Sequence, residues 1–396
     1  MNDIKKRKIH VVTKYFFPIV AGIELNILET YKRLAEMGWD VTIHTSKDVY
    51  LEKNTLPETE IVEGLKIKRY HFRWYGFLPK IDYESDQIVS LHNFDIFPHG
   101  IILLTNLLLK ITSKKKSHLI LVPHGGYNPL WTAFPLIKRI IKKTYHQTLA
   151  VLLINLTVDA IRPVSEWEKE KMTESGINKN KQKVIVNGLE NEAFLDIEKL
   201  ATDKVKNLIK NFDKYIVQIG RLNRIKNYET TIQALALLPK DIHYIIAGPI
   251  QHNDDYQSSL KKLVSELDLE NRVHFIGVIE GVDKYYLIKH SQMMVHMALW
   301  ESYCNVIQEA MSQGKVCVVA NNTALPYIIK DGINGYCVET KNSKQLAEKI
   351  NFVLENKNSE IIKKIEETNK KQVRSNSWDE IARQVNELYS SFFSNK

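Results

Sequence analysis

The chain has 396 residues and a mass of 46.0 kDa, with 44% hydrophobic and 26% charged residues, which predicts two globular domains of roughly 200 residues each. Three cysteines without a CxxC spacing argue against a disulfide framework or a zinc ribbon and favour a reducing cytoplasm. The net charge of +9 allows an anionic partner, but the chain lacks zinc-finger spacing and RNA-binding aromatic stripes, so no nucleic-acid partner is expected.

The N-terminal segment lacks the apolar stretch of a signal peptide, and no uninterrupted apolar run reaches the length of about 18 residues that a spanning helix needs. Short β-branched runs alternate with amphipathic helical stretches in units of about 30 residues, which is typical of βαβ units and parallel sheets. In the first half, strands are predicted at residues 9–13, 40–45, 65–70, 87–92, 118–122, 160–164 and 183–187. Helices are predicted there at residues 24–37, 100–111, 134–150 and 166–175.

The second half repeats the alternation after a polar, lysine-rich segment near residues 190–213. Its predicted strands are residues 215–219, 243–247, 273–276, 292–297, 315–320 and 335–338, and its predicted helices are 227–238, 256–267, 306–312, 343–356 and 376–393. The pattern predicts an α/β fold of two facing, doubly wound Rossmann-like domains. The expected boundaries are residues 1–190 for the N-terminal domain and 191–375 for the C-terminal domain, with helix 376–396 crossing back to the N-terminal domain.

Ligands of open α/β sheets bind at the carboxyl ends of the strands, so the loops that follow strands carry the candidate residues. In the first such loop, Gly22 precedes a helix, where a backbone can approach an anion, although a plain turn is an equal alternative. His124 follows a predicted strand and precedes two glycines, so it can donate to a sugar hydroxyl, or else serve as a structural histidine. His92 is a weaker case of the same kind.

Two loops of the second half are more informative. Gly220 ends a predicted strand and is followed by Arg221 and Lys226, two cations that suit a diphosphate. Glu301 lies in a later loop and Glu309 lies one turn into the next helix, so that both carboxylates can accept hydrogen bonds from sugar hydroxyls. The first N–H groups of that helix, at residues 303–306, can bind phosphate.

Glu301 and Glu309, separated by seven residues, resemble the E-x7-E signature of retaining family-four glycosyltransferases of the GT-B fold. Further segments resemble motifs of that family in the same order along the chain, and the resemblance covers residues 8 to 390. These segments are Pro18 to Gly22, His124-Gly125, Val164 to Glu166, Val184 to Gly188, Gly220-Arg221 with Lys226, Ala247 to Pro249, and Phe275 to Gly277.

The resemblance implies a role for each matching residue. Glu309 would bind ribose hydroxyls, Glu301 and His124 would bind hydroxyls of the donor sugar, and Arg221 with Lys226 would neutralise the leaving diphosphate. The remaining implied contacts are backbone groups, namely Gly22, Tyr303, Cys304, Asn305 and Val306 at the phosphates and Gly277 and Val278 at the base. Three departures from the family pattern, at Ala21, Tyr303-Cys304 and Tyr327, leave the sugar preference open.

The resemblance therefore implies hexosyl transfer with retention from a UDP- or GDP-linked sugar to a glycan or lipid-linked glycan, in the synthesis of a cell-surface polysaccharide or lipopolysaccharide. No D-x-D motif occurs, and cationic side chains can stabilise the leaving group, so no essential metal and no cofactor are expected. The alternatives are a catalytically degenerate nucleotide-binding module and another GT-B enzyme, a phosphorylase or an epimerase.

Two N-terminal segments, residues 101–116 and 131–143, combine apolar residues with lysines. Such helices can bind an anionic membrane surface, which would suit a lipid-linked acceptor at the inner face of the cell membrane. The alternative is that each helix covers a sheet with its apolar side and leaves its lysines in water.

Overall fold

A computed structural model describes residues 7–18, 21–47, 56–83, 85–250 and 255–394. The chain forms two compact units, unit 1 comprising residues 1–188 and 378–396 and unit 2 comprising residues 189–377. These boundaries lie within two residues of the positions expected from the sequence. Among the described residues, no helix combines the length and the apolarity needed to cross a bilayer.

Unit 1 contains a seven-stranded sheet in the order β3-β4-β2-β1-β5-β6-β7. All of its neighbouring strands pair in parallel except β3 and β4, which pair antiparallel at the edge. The elements are β1 (Lys8–Val12), α1 (Gly22–Glu36), β2 (Asp40–Ser46), β3 (Thr59–Val62), β4 (Leu65–Tyr70), β5 (Gln87–His92), α2 (His99–Ile111), β6 (His118–Val122), α3 (Leu136–Gln147), α4 (Leu149–Thr157), β7 (Ala160–Ile161) and α5 (Glu166–Glu174). Every residue of β5 is buried, as expected for a central strand of a parallel sheet.

Unit 2 contains a parallel six-stranded sheet in the order β10-β9-β8-β11-β12-β13. The elements are α6 (Ile197–Leu200), α7 (Asp203–Ile209), β8 (Lys214–Ile219), α8 (Tyr228–Leu235), β9 (Ile242–Ala247), α9 (Tyr256–Glu266), β10 (Val273–Gly277), α10 (Gly281–His290), β11 (Met293–His296), α11 (Asn305–Ser312), β12 (Cys317–Ala320), α12 (Leu325–Ile328), β13 (Tyr336–Val338), α13 (Ser343–Glu355) and α14 (Glu360–Val373). The chain leaves β8 towards β9 and β10 and then returns to β11 on the other side of β8. The order of the strands therefore reverses between β8 and β11, which is where ligands bind in open α/β sheets.

The last helix, α15 (Trp378–Ser391), belongs to unit 1, as the predicted return of the C-terminal helix requires. It packs on α1, where the hydroxyl of Tyr389 lies 2.8 Å from that of Tyr31. Trp39, just after α1, donates its indole N–H to Asn386 at 2.8 Å. Trp378 is 1% exposed and lies so close to Gly188 that any side chain at residue 188 would collide with its ring.

The two α/β sheets confirm the predicted fold class, but several predicted elements were wrong. Residues 183–187 form no strand, since their described backbone hydrogen bonds to this edge of the sheet are limited to two. The N–H of Lys183 donates to the Ile161 carbonyl in β7, and the N–H of Ile185 donates to the Pro163 carbonyl just after β7. The helix predicted over residues 134–150 is broken at Thr148, whose ψ of −92° is not helical, so α3 and α4 are separate helices. Strand β3 and helices α10 and α14 were not predicted.

Candidate active site

The loops that follow β8 and β11 meet at the point where the strand order of unit 2 reverses. Two hydrogen bonds join them, from Leu299 N–H to the Ile225 carbonyl at 2.7 Å and from Asn227 Nδ2 to the Met297 carbonyl at 2.9 Å. Asn227 adopts a left-handed conformation with φ of +51°, which asparagine tolerates better than most residues. The joined loops bring Lys226 and Glu301 together, although 75 residues separate them in the sequence.

Glu301 is the centre of this site. Its Oε1 atom accepts hydrogen bonds from Lys226 Nζ at 2.5 Å and from His296 Nε2 at 2.7 Å. Its backbone N–H donates to Thr323 Oγ1 at 3.0 Å. Glu301 is only 9% exposed, so its charge is compensated by neighbouring side chains more than by bulk water.

The charges in this cluster stabilise one another. Burial by itself raises the pKa of Glu301, but Lys226 and His296 outweigh burial and lower that pKa to about 2. Burial opposes the charge of Lys226 as well, yet the carboxylate of Glu301 raises the pKa of Lys226 above its ordinary value. At neutral pH, Glu301 is therefore an anion and Lys226 a cation.

His296, the last residue of β11, is neutral at pH 7 because burial lowers its pKa. Since Nε2 faces a carboxylate, Nε2 carries the proton and Nδ1 is a bare acceptor. Within the described part of the chain, Nδ1 is buried and has no hydrogen-bond partner. His296 thus orients Glu301 without adding a charge.

Ligand atoms of His296, Glu301 and Cys304 lie within 4.8 Å of one another, a grouping that could hold a metal ion. One of the two carboxylate oxygens of Glu301, Oε1, already accepts hydrogen bonds from Lys226 and His296. A divalent cation at Glu301 Oε1 would displace the ammonium and compete for the histidine nitrogen. Oε1 of Glu301 therefore already has the lysine ammonium as its cation.

Helix α11 begins beside this cluster. The first N–H groups of α11, from Asn305 onward, point out of the N-terminal end of the helix, where the helix dipole favours an anion. Cys304 directly precedes α11 in the left-handed region, with φ of +81°, where glycine is the least strained residue. Burial raises the pKa of its thiol, so Cys304 is an uncharged, buried side chain at neutral pH.

Glu309 lies one turn into α11 and pairs with Lys284 of α10, whose Nζ is 3.1 Å from Glu309 Oε1. The same ammonium is 2.9 Å from Glu190 Oε2, so one lysine bridges two carboxylates. Burial and the charge of Glu190 raise the pKa of Glu309, while Lys284 opposes that shift. Lys284 therefore helps to hold Glu309 in its ionised form.

The other predicted residues of unit 2 lie at neighbouring strand ends. Arg221 is exposed directly after β8 and forms no ion pair with another described residue. Gly277, the last residue of β10, has φ of +75° and open space around its Cα atom, and Val278 after it is exposed. These positions leave the backbone near residues 277–278 accessible to a planar ligand.

In unit 1, Gly22 is the first residue of α1 and is exposed, while the preceding Ile19 and Val20 lie outside the described residues. His124 follows β6 in a left-handed conformation with φ of +49° and is almost fully buried. Its Nε2 is 2.9 Å from Nδ1 of His92, the last residue of β5. Burial, assisted by Arg162, lowers the pKa of His124 to about 3, so its imidazole is neutral at pH 7.

The comparison with known families decides which protein class this geometry belongs to. Residues 201–374 match the family described as glycosyl transferases group 1, and residues 20–192 match the family described as glycosyltransferase family 4. The chain is therefore a glycosyltransferase whose first half matches family 4 and whose second half matches group 1. The two matches together leave out only residues 1–19, 193–200 and 375–396.

This glycosyltransferase is 26% identical over 379 residues to an uncharacterized glycosyltransferase of Methanocaldococcus jannaschii, covering 90% of this chain and 91% of the relative. Over 219 residues, it is 24% identical to the N-acetylgalactosamine-N,N'-diacetylbacillosaminyl-diphospho-undecaprenol 4-alpha-N-acetylgalactosaminyltransferase of Campylobacter jejuni, covering 54% of this chain and 56% of the relative.

Two solved structures share the fold of this glycosyltransferase. A glycosyltransferase from Rickettsia africae has a TM-score of 0.75 at 20% identity, with coverage of 99% of this chain and all of the other. The Anabaena protein HepE, in complex with UDP and glucose, has a TM-score of 0.71 at 20% identity, with coverage of 97% of this chain and all of the other.

Sequence reasoning missed three charged or polar residues of this glycosyltransferase. His296 had a detectable signal, because a polar residue ends an otherwise apolar strand. Lys284 had none, since it is one of two lysines on α10 and only the fold brings it to Glu309. Arg162 is fully buried, and its guanidinium donates to Asn26 Oδ1 at 2.7 Å. The sequence around this single arginine does not predict that contact.

Proposed function

We propose that this glycosyltransferase moves a hexosyl group from a UDP- or GDP-linked sugar to a glycan or lipid-linked glycan, with retention of anomeric configuration and without an essential metal. The observation that carries the proposal is the buried pair of Lys226 and Glu301 beside the start of α11, where the strand order of unit 2 reverses. This arrangement offers a carboxylate for hydroxyl groups and positive electrostatic potential for a diphosphate.

In the proposed reaction, the bond between the anomeric carbon and the β-phosphate oxygen breaks, and the acceptor oxygen bonds to the anomeric carbon on the same face. The acceptor's proton passes to the leaving phosphate oxygen. Arg221, Lys226 and the first N–H groups of α11 stabilise the negative charge that develops on the diphosphate. Lys226, which is paired with Glu301, and the N–H groups of α11 are already held in position, so their reorganisation costs little during the reaction.

The two glutamates have separate roles in this proposal. Glu301 accepts hydrogen bonds from hydroxyls of the donor sugar through the carboxylate lone pairs that Lys226 and His296 do not use. Glu309 accepts hydrogen bonds from the ribose hydroxyls. His124 provides a further hydrogen bond to the sugar, and Gly22 a close backbone approach. The backbone near Gly277 and Val278 contacts the base.

The relatives support the donor and acceptor classes. HepE was solved with UDP and with UDP-glucose, and the Campylobacter relative is named for transfer to a sugar on diphospho-undecaprenol. A structural relative, WaaG, is described as involved in lipopolysaccharide biosynthesis. We therefore propose a role in cell-surface polysaccharide or lipopolysaccharide synthesis at the cytoplasmic face of a membrane.

Thermal unfolding in the presence of UDP, GDP or ADP tests the proposal. A nucleotide at 100 times its dissociation constant should stabilise the wild type by about 2.7 kcal/mol, and Glu309→Ala should lose that stabilisation. The nucleotide that stabilises the protein then selects the sugar donors for a transfer assay, with the anomeric configuration of the product read by NMR. Stabilisation without sugar transfer would indicate a degenerate binding module, and no stabilisation by any nucleotide would contradict the proposal.

Lys284→Met should weaken binding of the selected nucleotide by about tenfold at pH 7, because Glu309 loses the cation that opposes its raised pKa. The loss should increase as the pH falls below 7 towards the raised pKa of Glu309, since protonation removes the acceptor that the ribose needs. Isothermal titration at several pH values measures this effect. Lys289→Met is the matched control, because Lys289 lies on the same helix and its ion pair among the described residues is with Glu198, away from Glu309.

A further inference from the structure

The positive charge of the chain is concentrated in one segment of unit 1. Residues 96–158 contain eight lysines and arginines and not a single aspartate or glutamate, whereas the whole chain has a net charge of +9. Only Lys115 and Lys142 among these cations form an ion pair with a described residue, with Asp159 and Asp95 respectively. The other six cations of the segment, which have no such partner, are Lys110, Lys114, Lys116, Lys138, Arg139 and Lys143.

Helix α3 within this segment carries its apolar side outward. Its four large apolar residues are between 57% and 71% exposed and occupy one side of the helix at positions i, i+1, i+4 and i+5; they are Leu136, Ile137, Ile140 and Ile141. The opposite side holds the helix to the unit through polar contacts, with Lys142 2.9 Å from Asp95 and His146 Nδ1 2.8 Å from the Tyr127 carbonyl. The interpretation of this helix as a sheet cover with lysines in water is therefore wrong.

Two neighbouring helices extend the exposed apolar area. Leu104, Leu108 and Ile111 are exposed on α2, and Leu149, Leu152 and Leu156 are exposed on α4. Helices α2 and α4 pack together, and Lys110 Nζ donates to the Leu156 carbonyl at 2.8 Å, so their C-terminal ends are adjacent. We call the ten exposed apolar residues of α2, α3 and α4, with the six cations named above, the α2–α4 surface.

The α2–α4 surface combines positive charge with exposed apolar side chains, and this combination indicates what kind of partner it binds. Soluble proteins rarely expose so many large apolar side chains on neighbouring helices without a partner. Lys138 and Lys143 lie on either side of the apolar stripe of α3, where their ammonium groups can reach phosphate while the isoleucines enter the acyl region. A protein partner could cover the apolar residues, but six cations from a segment without acidic residues also favour an extended anionic counterpart.

We propose that the α2–α4 surface binds the interface of an anionic phospholipid bilayer. This inference rests on the proposed function in one respect, since such binding would bring unit 1 to a lipid-linked acceptor. Nucleotide binding by unit 2 is measured without lipid, so failure of one proposal is distinguishable from failure of the other.

Co-sedimentation of the full chain with vesicles tests the proposal. Vesicles of phosphatidylglycerol and phosphatidylcholine should bind the wild type, vesicles of phosphatidylcholine alone should bind it far less, and added salt should weaken binding. Lys138→Gln/Lys143→Gln should weaken binding by about 25-fold, at about fivefold for each lysine. Ile137→Asn/Ile140→Asn should weaken it by about 100-fold, at about tenfold for each exposed isoleucine.

The matched control is Ile333→Asn/Ile361→Asn, which replaces two comparably exposed isoleucines of unit 2 and should leave vesicle binding unchanged. All of these side chains are exposed, so the variants should fold, and an unchanged melting temperature checks this. Equal binding to neutral vesicles, or an α3 variant that binds as the wild type does, would overturn the proposal. The proposal would also be overturned if the wild type formed a dimer that does not bind vesicles and the α3 variant were a monomer. The α2–α4 surface would then bind a second copy of the chain.

Discussion

Lys226→Met is expected to lower the free energy of unfolding at pH 7 by about 3–5 kcal/mol, because it leaves the carboxylate of Glu301 buried without its cation. Methionine retains the side chain as far as the ε position and removes the ammonium group, with its charge and its hydrogen bond. The rate of sugar transfer should fall by two to three orders of magnitude, since the ammonium also stabilises the leaving diphosphate. Chemical denaturation and a transfer assay measure the two effects separately.

The double variant Lys226→Met/Glu301→Gln distinguishes an unpaired charge from lost packing. It should recover most of the lost stability but none of the activity, because glutamine needs no cation. Equal destabilisation of the single and double variants would contradict the electrostatic explanation.

The pH dependence provides an independent check. The pKa of Glu301 is lowered to about 2 in the folded protein from an ordinary value of 4.5. The stability that this carboxylate contributes is therefore fully present above pH 4.5 and is lost as the pH falls from 4.5 towards 2. In Lys226→Met that acid-induced loss should become smaller, because Glu301 no longer has its lowered pKa.

Gly248→Ala should destabilise unit 2 by more than about 4 kcal/mol. A Cβ atom at residue 248 would lie 2.0 Å from the carbonyl oxygen of Gly220 and 2.6 Å from its carbonyl carbon, and Gly248 has φ of +142°. Both atoms belong to the backbone and cannot move aside as a flexible side chain could. Strands β8 and β9 would therefore have to separate next to the loop that carries Arg221. Donor affinity should fall along with stability.

Gly277→Ala is the matched control. Gly277 also has a positive φ, of +75°, at the end of the adjacent strand β10, but a Cβ atom there would meet nothing within 4 Å. Only the conformational cost of about 1–2 kcal/mol should remain. Thermal unfolding of both variants separates steric clash from backbone strain, and similar losses in the two would contradict the clash.

Local patterns predicted the central strands and the loops of the site well. The predicted strands at residues 65–70, 87–92 and 118–122 have the same bounds as β4, β5 and β6. Strands β5 and β6 are buried on both sides, whereas β4 alternates buried apolar residues with exposed lysines, and both patterns are typical of strands. Lys226 and Glu301 were identifiable because each follows such a strand. Residues 183–187 have the same composition as a strand, but the sheet offers them only short pairing beside β7.

The sequence by itself determined the two α/β domains and the loops where charged residues gather, since these depend on periodicity and spacing within about 30 residues. Only the tertiary structure decided that His296 and Lys226 share one oxygen of Glu301, that Lys284 bridges Glu190 and Glu309, and that α3 faces outward with its isoleucines. A helical pattern defines which side of a helix is apolar but not where that side points. Ion pairs between distant segments likewise depend on the strand order and on how deeply each charge is buried. The local sequence predicts neither the strand order nor the burial.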